Sequence, residues 1–366
     1  MIRTLTRAGA VVATATVLAC SASASAAATW VIKGAGFGHG VGMSAYGAYG
    51  YAKHGAGYRE IINHYFRRIR FTKLDHKRSV RVLLEVASAD VEFTGAQRAC
   101  GRRLRAQHSY VAHRSGSSLR LQSSSGKTLA RCGRKLRATG GGTVRVEGQG
   151  TYRGAIEMLP DGGSLNVVNR VELNAYVRGS VPAEVPASWP METLRAMAVA
   201  SRSIALSTDV GGHGFDLYPD TRTQNYGGVG VEAPRTNRAV RSTSNEVVAH
   251  GGEVAQTTYF SSSGGRTESR FLGGPRVPYL ESVKDPYDYY SPLHRWTVRL
   301  SQAEIDAKLG AYVQGHLRRI KVTERGDSPR IVSANLVGTQ GTTPIDGVTL
   351  SGALGLYDRW AYFSRR

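Results

Sequence analysis

Tyr152-Arg-Gly-Ala-Ile-Glu-Met-Leu-Pro-Asp-Gly-Gly-Ser-Leu-Asn-Val-Val-Asn-Arg-Val171 holds two runs of strand-forming residues, Tyr152 to Leu159 and Leu165 to Val171, separated by Pro160-Asp161-Gly162-Gly163. Proline presets one turn torsion and glycine tolerates positive φ, so the four central residues predict a tight turn and their flanks an antiparallel hairpin. Working outward, Val80 to Val86, Val144 to Val146, Glu246 to Ala249, Val254 to Ser261, Trp296 to Leu300, Arg318 to Val322 and Arg330 to Leu336 read as further strands. Helical spacing is rarer. It predicts helices over Met43 to Lys53, opened by Ser44 and stopped by Gly55, and over Tyr58 to Phe66, with Ile61, Ile62 and Tyr65 on one side. A third covers Met191 to Ser207, with Ser188 as its N-cap and Pro190 in its first turn, and a short one covers Gln302 to Leu309. The fold class is therefore α+β, β-rich with a few helices and one main catalytic or binding body.

Before the third helix stands Tyr176-Val-Arg-Gly-Ser-Val-Pro-Ala-Glu-Val-Pro-Ala-Ser-Trp-Pro190. Proline lacks the N–H that a helix interior or central strand uses, so this segment reads as a structured loop bracing Glu184. Desolvation in such a setting raises a carboxyl pKa, while Arg195 and Arg202, seven apart on one face of the next helix, oppose that shift if they approach. Near the N-terminus, Gly34, Gly36, Gly38, Gly40 and Gly42 alternate with Ala35, Phe37, His39 and Val41. In an extended strand the five glycines share one bare face, against which a backbone or a sugar ring can lie. The spacing fits neither glycine-rich phosphate-binding fingerprint.

The 366 residues are 41% apolar and 20% charged, which excludes disorder and collagen-like repetition. Residues 1–26 read as a secretory signal: a basic start with Arg3 and Arg7, an apolar run from Ala8 to Ala19 too short to span a membrane, then Ala24-Ser-Ala26. Cys20, preceded by Val17-Leu-Ala19, offers the alternative of a lipoprotein anchor. Residues 30–366 then form one domain, secreted to the wall or the medium. Removal of the signal leaves Cys100 and Cys132, expected as a disulfide worth about 3–4 kcal/mol.

The formal net charge is +21, and residues 98–137 carry eleven Lys and Arg with no Asp or Glu. We read 96–140 as a basic insertion or subdomain. For an exported protein its partners are anionic wall polymers rather than nucleic acid; a purely solubilising surface is the alternative.

Gly36-Phe-Gly-His-Gly-Val-Gly-Met-Ser-Ala-Tyr-Gly-Ala48, Tyr58-Arg-Glu-Ile-Ile-Asn-His-Tyr65, Arg178-Gly-Ser-Val-Pro-Ala-Glu-Val-Pro186 with Leu194-Arg-Ala-Met-Ala-Val-Ala-Ser-Arg202, and Tyr259-Phe-Ser-Ser-Ser-Gly-Gly-Arg-Thr-Glu268 together resemble the stage II sporulation protein D and amidase-enhancer family. That resemblance implies peptidoglycan binding. In the sporulation branch it implies lytic transglycosylase activity with Glu184 as general acid and base, and Arg195, Arg202, Tyr259, His39 and Ser263 at the glycan. In the other branch, members modify a wall amidase, and a non-catalytic enhancer of an N-acetylmuramoyl-L-alanine amidase is the alternative function.

Hydrolases that cleave sugars normally use two carboxylates, and Glu192, the nearest competitor, suits helix-dipole stabilisation. One suffices where the 6-hydroxyl of muramic acid is the nucleophile. Three departures from the family stand out. Ala45 replaces a glutamine after Met43-Ser44, Tyr218-Pro-Asp-Thr-Arg-Thr-Gln224 lacks the Cys and His that hold zinc in some members, and the glycine-His motif comes first, as in a permuted chain. Neither a metal nor a cofactor is expected.

Overall fold

A computed structural model describes residues 29–366. The signal reading, Cys20 included, lies outside the described residues. The expected α+β, strand-rich class holds. Two antiparallel six-stranded sheets dominate. One runs Ser79–Ala87, Ser164–Glu172, Ala155–Asp161, Leu136–Thr139, Arg98–Ala99 and Arg102–Arg103 in spatial order. The predicted hairpin sits in its centre, with Asp161 paired to Ser164 across the turn. The other sheet runs Thr128–Gly133, Ser118–Ser123, Tyr110–Ser115, Val91–Thr94, Thr143–Val146 and Gly150–Arg153.

The strand expected over Tyr152 to Leu159 is broken at Gly154, so its two halves join different sheets. Gly154 has φ +86°, and a Cβ there would overlap the Arg170 carbonyl, which is why the chain switches sheets at a glycine. The basic segment supplies strands to both sheets. Its Ala99, Leu119, Leu121, Leu136 and Ala138 are buried in the principal core, and Cys100 and Cys132 are bonded.

Seven helices occur among the described residues: α1 (Ala45–Lys53), α2 (Tyr58–Tyr65), α3 (Leu173–Glu184), α4 (Met191–Ser207), α5 (Pro234–Ser242), α6 (Gln302–Leu309) and α7 (Gly347–Leu354). None is long and apolar enough to cross a membrane. Helix α4 is the hub, packing on α1, α2, α3 and α5. Its Ala196, Met197, Ala198, Val199 and Ala200 are wholly buried, as its small residues allow. Pro190, not Ser188, stands at its N-cap position, and no side chain caps it.

The proline-rich segment is not the expected loop. Helix α3 runs through Pro182, opened by Glu172, whose carboxylate accepts from the amides of Asn174 and Ala175. An interior proline costs about 3 kcal/mol. Burial of Leu173, Tyr176, Val177 and Val181, at roughly 1.5–3 kcal/mol for each such apolar side chain, outweighs it.

Nor do the glycines form an extended strand. Strand Thr29–Gly34 stops, and Gly36, Gly38, Gly40 and Gly42 all have φ between +82° and +113°. The resulting ribbon is covered by the protein's own groups, since a Cβ at Gly40 would collide with the Arg330 guanidinium and one at Gly42 with the Thr258 carbonyl. Arg330 is fully buried and paired with Asp358 at 2.7 Å. The expected strand from Val254 to Ser261 is also interrupted, leaving Glu253–Val254 and Tyr259–Phe260. A second core, with Trp30, Ile32, Trp296, Leu317, Leu336 and Leu350 among its members, unites the first described strand with the C-terminal elements.

Candidate active site

Helix α3 ends at Glu184, and that terminus opens into a cavity of about 720 Å³. Its walls come from the glycine ribbon, the start of α1, helix α4 and the segments around Asn225 and Tyr259. Glu184 is the single carboxylate among the lining residues. Burial pushes its pKa up, opposed by hydrogen bonds from Asn225 that favour the charged form. The Asn225 amide donates to Glu184 Oε1 at 2.6 Å. Tyr259 donates its single hydroxyl proton to Gln224 Oε1 at 2.8 Å, and Gln224 Nε2 in turn donates to the Tyr176 hydroxyl at 3.3 Å and the Ser201 carbonyl at 3.2 Å. The acid is thus held by a backbone amide beside a buried hydrogen-bonded chain that ends on the Ser201 carbonyl.

His39 lines the same cavity. Its Nδ1 accepts from the Val41 amide at 3.1 Å and its Nε2 faces the Tyr259 carbonyl at 3.1 Å. An amide can only donate and a carbonyl only accept, so the ring is neutral with its proton on Nε2. Burial accordingly lowers its pKa to about 4, with Arg330 and Arg359 acting in the same direction. Both ring nitrogens are committed to backbone, and His39 positions Tyr259.

The other three expected ligands lie elsewhere. Arg195 and Arg202 share one face of α4 as read, but that face meets α5 and strand Glu246–His250 instead of Glu184. Arg195 pairs with Glu192 and donates to Ser242 Oγ. Arg202, with no exposure, donates to Asn174 Oδ1 at 3.0 Å and the Glu246 carbonyl at 2.8 Å. Ser263 is also fully buried, its hydroxyl on Asp285 and its amide on Asp288.

Residues 161–250 match the family model described as stage II sporulation protein. The chain is 36% identical over 133 residues to a protein named amidase enhancer from Bacillus subtilis (strain 168), covering 36% of this chain and 18% of that protein. It is 29% identical over 203 residues to stage II sporulation protein D of the same organism, covering 50% of this chain and 57% of that one. This chain is related to the stage II sporulation protein D and amidase-enhancer proteins. It spans less than two thirds of the length of each. The matched family segment carries Glu184, Gln224 and Asn225, whereas His39 and Tyr259 lie outside it and are brought to Glu184 by the fold.

Sequence reasoning missed Asn225, Gln224, Trp189 and Arg222. Arg222 is the lining cation, forked onto Asp220 and lying 3.8 Å from the Tyr218 ring centroid. The only signal for the first two was the run Gln224-Asn-Tyr226 after a glycine-rich break, which does not say what it faces.

Proposed function

We propose that this is an exported cell-wall protein that binds peptidoglycan glycan strands in the Glu184 cavity and cleaves them as a lytic transglycosylase. The observation that carries this is a lone carboxylate with a raised pKa in an otherwise acid-free cavity. A protonated Glu184 donates its proton to the glycosidic oxygen as the bond to the muramic acid C1 breaks. The carboxylate so formed, held by the Asn225 amide, then accepts the proton of the muramic acid 6-hydroxyl as that oxygen bonds to C1. The product is a 1,6-anhydro ring, no water is consumed, and Glu184 ends protonated again. The test is incubation of wild type and Glu184→Gln with peptidoglycan, followed by mass spectrometry. Wild type should yield anhydro-muramyl ends and the variant at least about a hundredfold fewer. Their absence from the wild-type digest overturns the reading.

A second reading is supported by the relative named amidase enhancer. In it the cavity holds a glycan without cutting it and the protein stimulates a separate wall amidase. Amidase turnover on wall material, measured with and without this protein, separates the two: stimulation that survives Glu184→Gln favours the enhancer.

A further inference from the structure

Aromatic rings continue from the cavity across the surface of the molecule. Tyr46 and Trp189 line the cavity, with ring centroids 5.0 Å apart. Tyr49, one turn along α1, lies edge-on to Trp189 at 5.0 Å and to Tyr290 at 5.3 Å. Tyr290 stacks on Tyr289 at 4.6 Å, and these outer two rings are 37% and 52% exposed.

The exposed pair is held rigidly. Both tyrosines sit in the short turn Asp288–Tyr290, and Asp288 is wholly buried. Its carboxylate accepts from Ser44 Oγ at 2.9 Å, Ser262 Oγ at 2.8 Å, the Ser263 amide at 2.8 Å and the Gly264 amide at 2.9 Å, and it faces His294 Nδ1 at 2.9 Å. Ser44 is the N-cap of α1, which carries Tyr46 and Tyr49, and Ser262 follows the strand that carries Tyr259. One buried side chain therefore fixes the outer rings, the inner rings and the cavity wall to one another. At the outer end His54 Nε2 meets the Tyr289 hydroxyl at 3.2 Å. This explains Ser263 as a support of the site.

We propose that this aromatic row is a set of subsites that extends the cavity and takes successive amino-sugar rings of a glycan strand beyond the one at Glu184. The inference rests on the reading of the cavity as a glycan site. A pyranose ring presents a face of C–H bonds, which sheds water on meeting an aromatic face and is attracted by its negative π cloud. Rings already fixed in place lose little entropy on binding, so the contact energy appears as affinity. The row itself is made of tyrosines and a tryptophan, and among the described residues no guanidinium stacks on any of its rings, unlike a track for single-stranded nucleic acid.

The experiment is calorimetric titration of the full chain, in a Glu184→Gln background to prevent turnover, with peptide-free peptidoglycan disaccharide, tetrasaccharide and hexasaccharide. Affinity should rise with length. Tyr289→Ala and Tyr290→Ala should each weaken the hexasaccharide about three- to tenfold and leave the disaccharide unchanged, while Tyr290→Phe retains the parent value. Binding that gains nothing from length, or a double alanine variant with full hexasaccharide affinity, overturns the subsites while the cavity reading stands. A parent protein that binds none of the three glycans overturns the cavity reading and this one with it.

Discussion

At the residue scale, Glu184 is balanced between burial and Asn225. Hydrogen bonds from the backbone and side chain of Asn225 favour the charged form of Glu184 against a desolvation that favours the neutral one. Removing the side-chain bond in Asn225→Ala should raise the Glu184 pKa further, so the alkaline limb of the pH–rate profile for anhydro-end formation should move up. A downward move of that limb would refute the balance. Because the folded pKa of Glu184 lies above its unfolded one, its contribution to stability is fully present below the unfolded value and is lost as pH rises through the folded value. Glu184→Gln lacks that loss. Its melting temperature relative to wild type should therefore climb between pH 4 and pH 8, and a gap that is flat with pH would show that the carboxyl is not desolvated. His39 was named through the family resemblance and lines the cavity, but its role was not legible: two backbone partners decide it, the Val41 amide inside its own motif and the Tyr259 carbonyl far along the chain.

At the element scale, helix propensity and packing give opposite answers at two glycines. In α1, a Cβ on Gly47 would overlap the Tyr65 hydroxyl and the Asp285 carboxylate. In α7, Gly352 is exposed and a Cβ would meet nothing within 4 Å. Gly352→Ala should stabilise by about 0.5–1 kcal/mol, the usual helical gain over glycine. Gly47→Ala should destabilise by roughly 1–3 kcal/mol as overpacking overrides that gain. Chemical denaturation of both variants checks the contrast, and a stabilised Gly47→Ala would mean that α1 is not clamped on α2 and Asp285. The same competition explains α3: proline content argued for a loop, and burial of Leu173, Tyr176, Val177 and Val181 made a helix. Local sequence registers the cost of Pro182 and not the compensating contact.

At the scale of the whole molecule, one basic cluster shares no lining residue with the Glu184 cavity. Arg98, Arg102, Arg103, Lys135 and Arg137 line a shallow pocket of about 490 Å³ beside Cys100. Lys135, Arg137 and Arg170 lean on the buried Glu157 at 3.5, 3.6 and 3.9 Å, while the remaining three arginines make no ion pair among the described residues. Replacing Arg98, Arg102 and Arg103 with Gln should weaken binding to insoluble wall at low salt and flatten its salt dependence, since screening shortens from about 10 Å at 0.1 M to 3 Å at 1 M. Cleavage of short soluble glycans should be unchanged. Wall binding, measured by co-sedimentation, that ignores both salt and these substitutions would make the patch a solubilising surface. The sequence by itself determined the strand-rich α+β class, the central hairpin, helices α1, α2, α4 and α6 and the Cys100 to Cys132 bond, because alternation, turn chemistry and capping are local signals, and a short motif singled out Glu184 as the candidate acid. Only the tertiary structure decided that Tyr259, Gln224, Asn225 and His39 surround that acid, that Arg202 and Ser263 are sealed in the core, and that the glycine ribbon closes over Arg330. Those outcomes depend on which surfaces bury each other across separations of hundreds of residues, and that competition for burial leaves no periodicity in the chain.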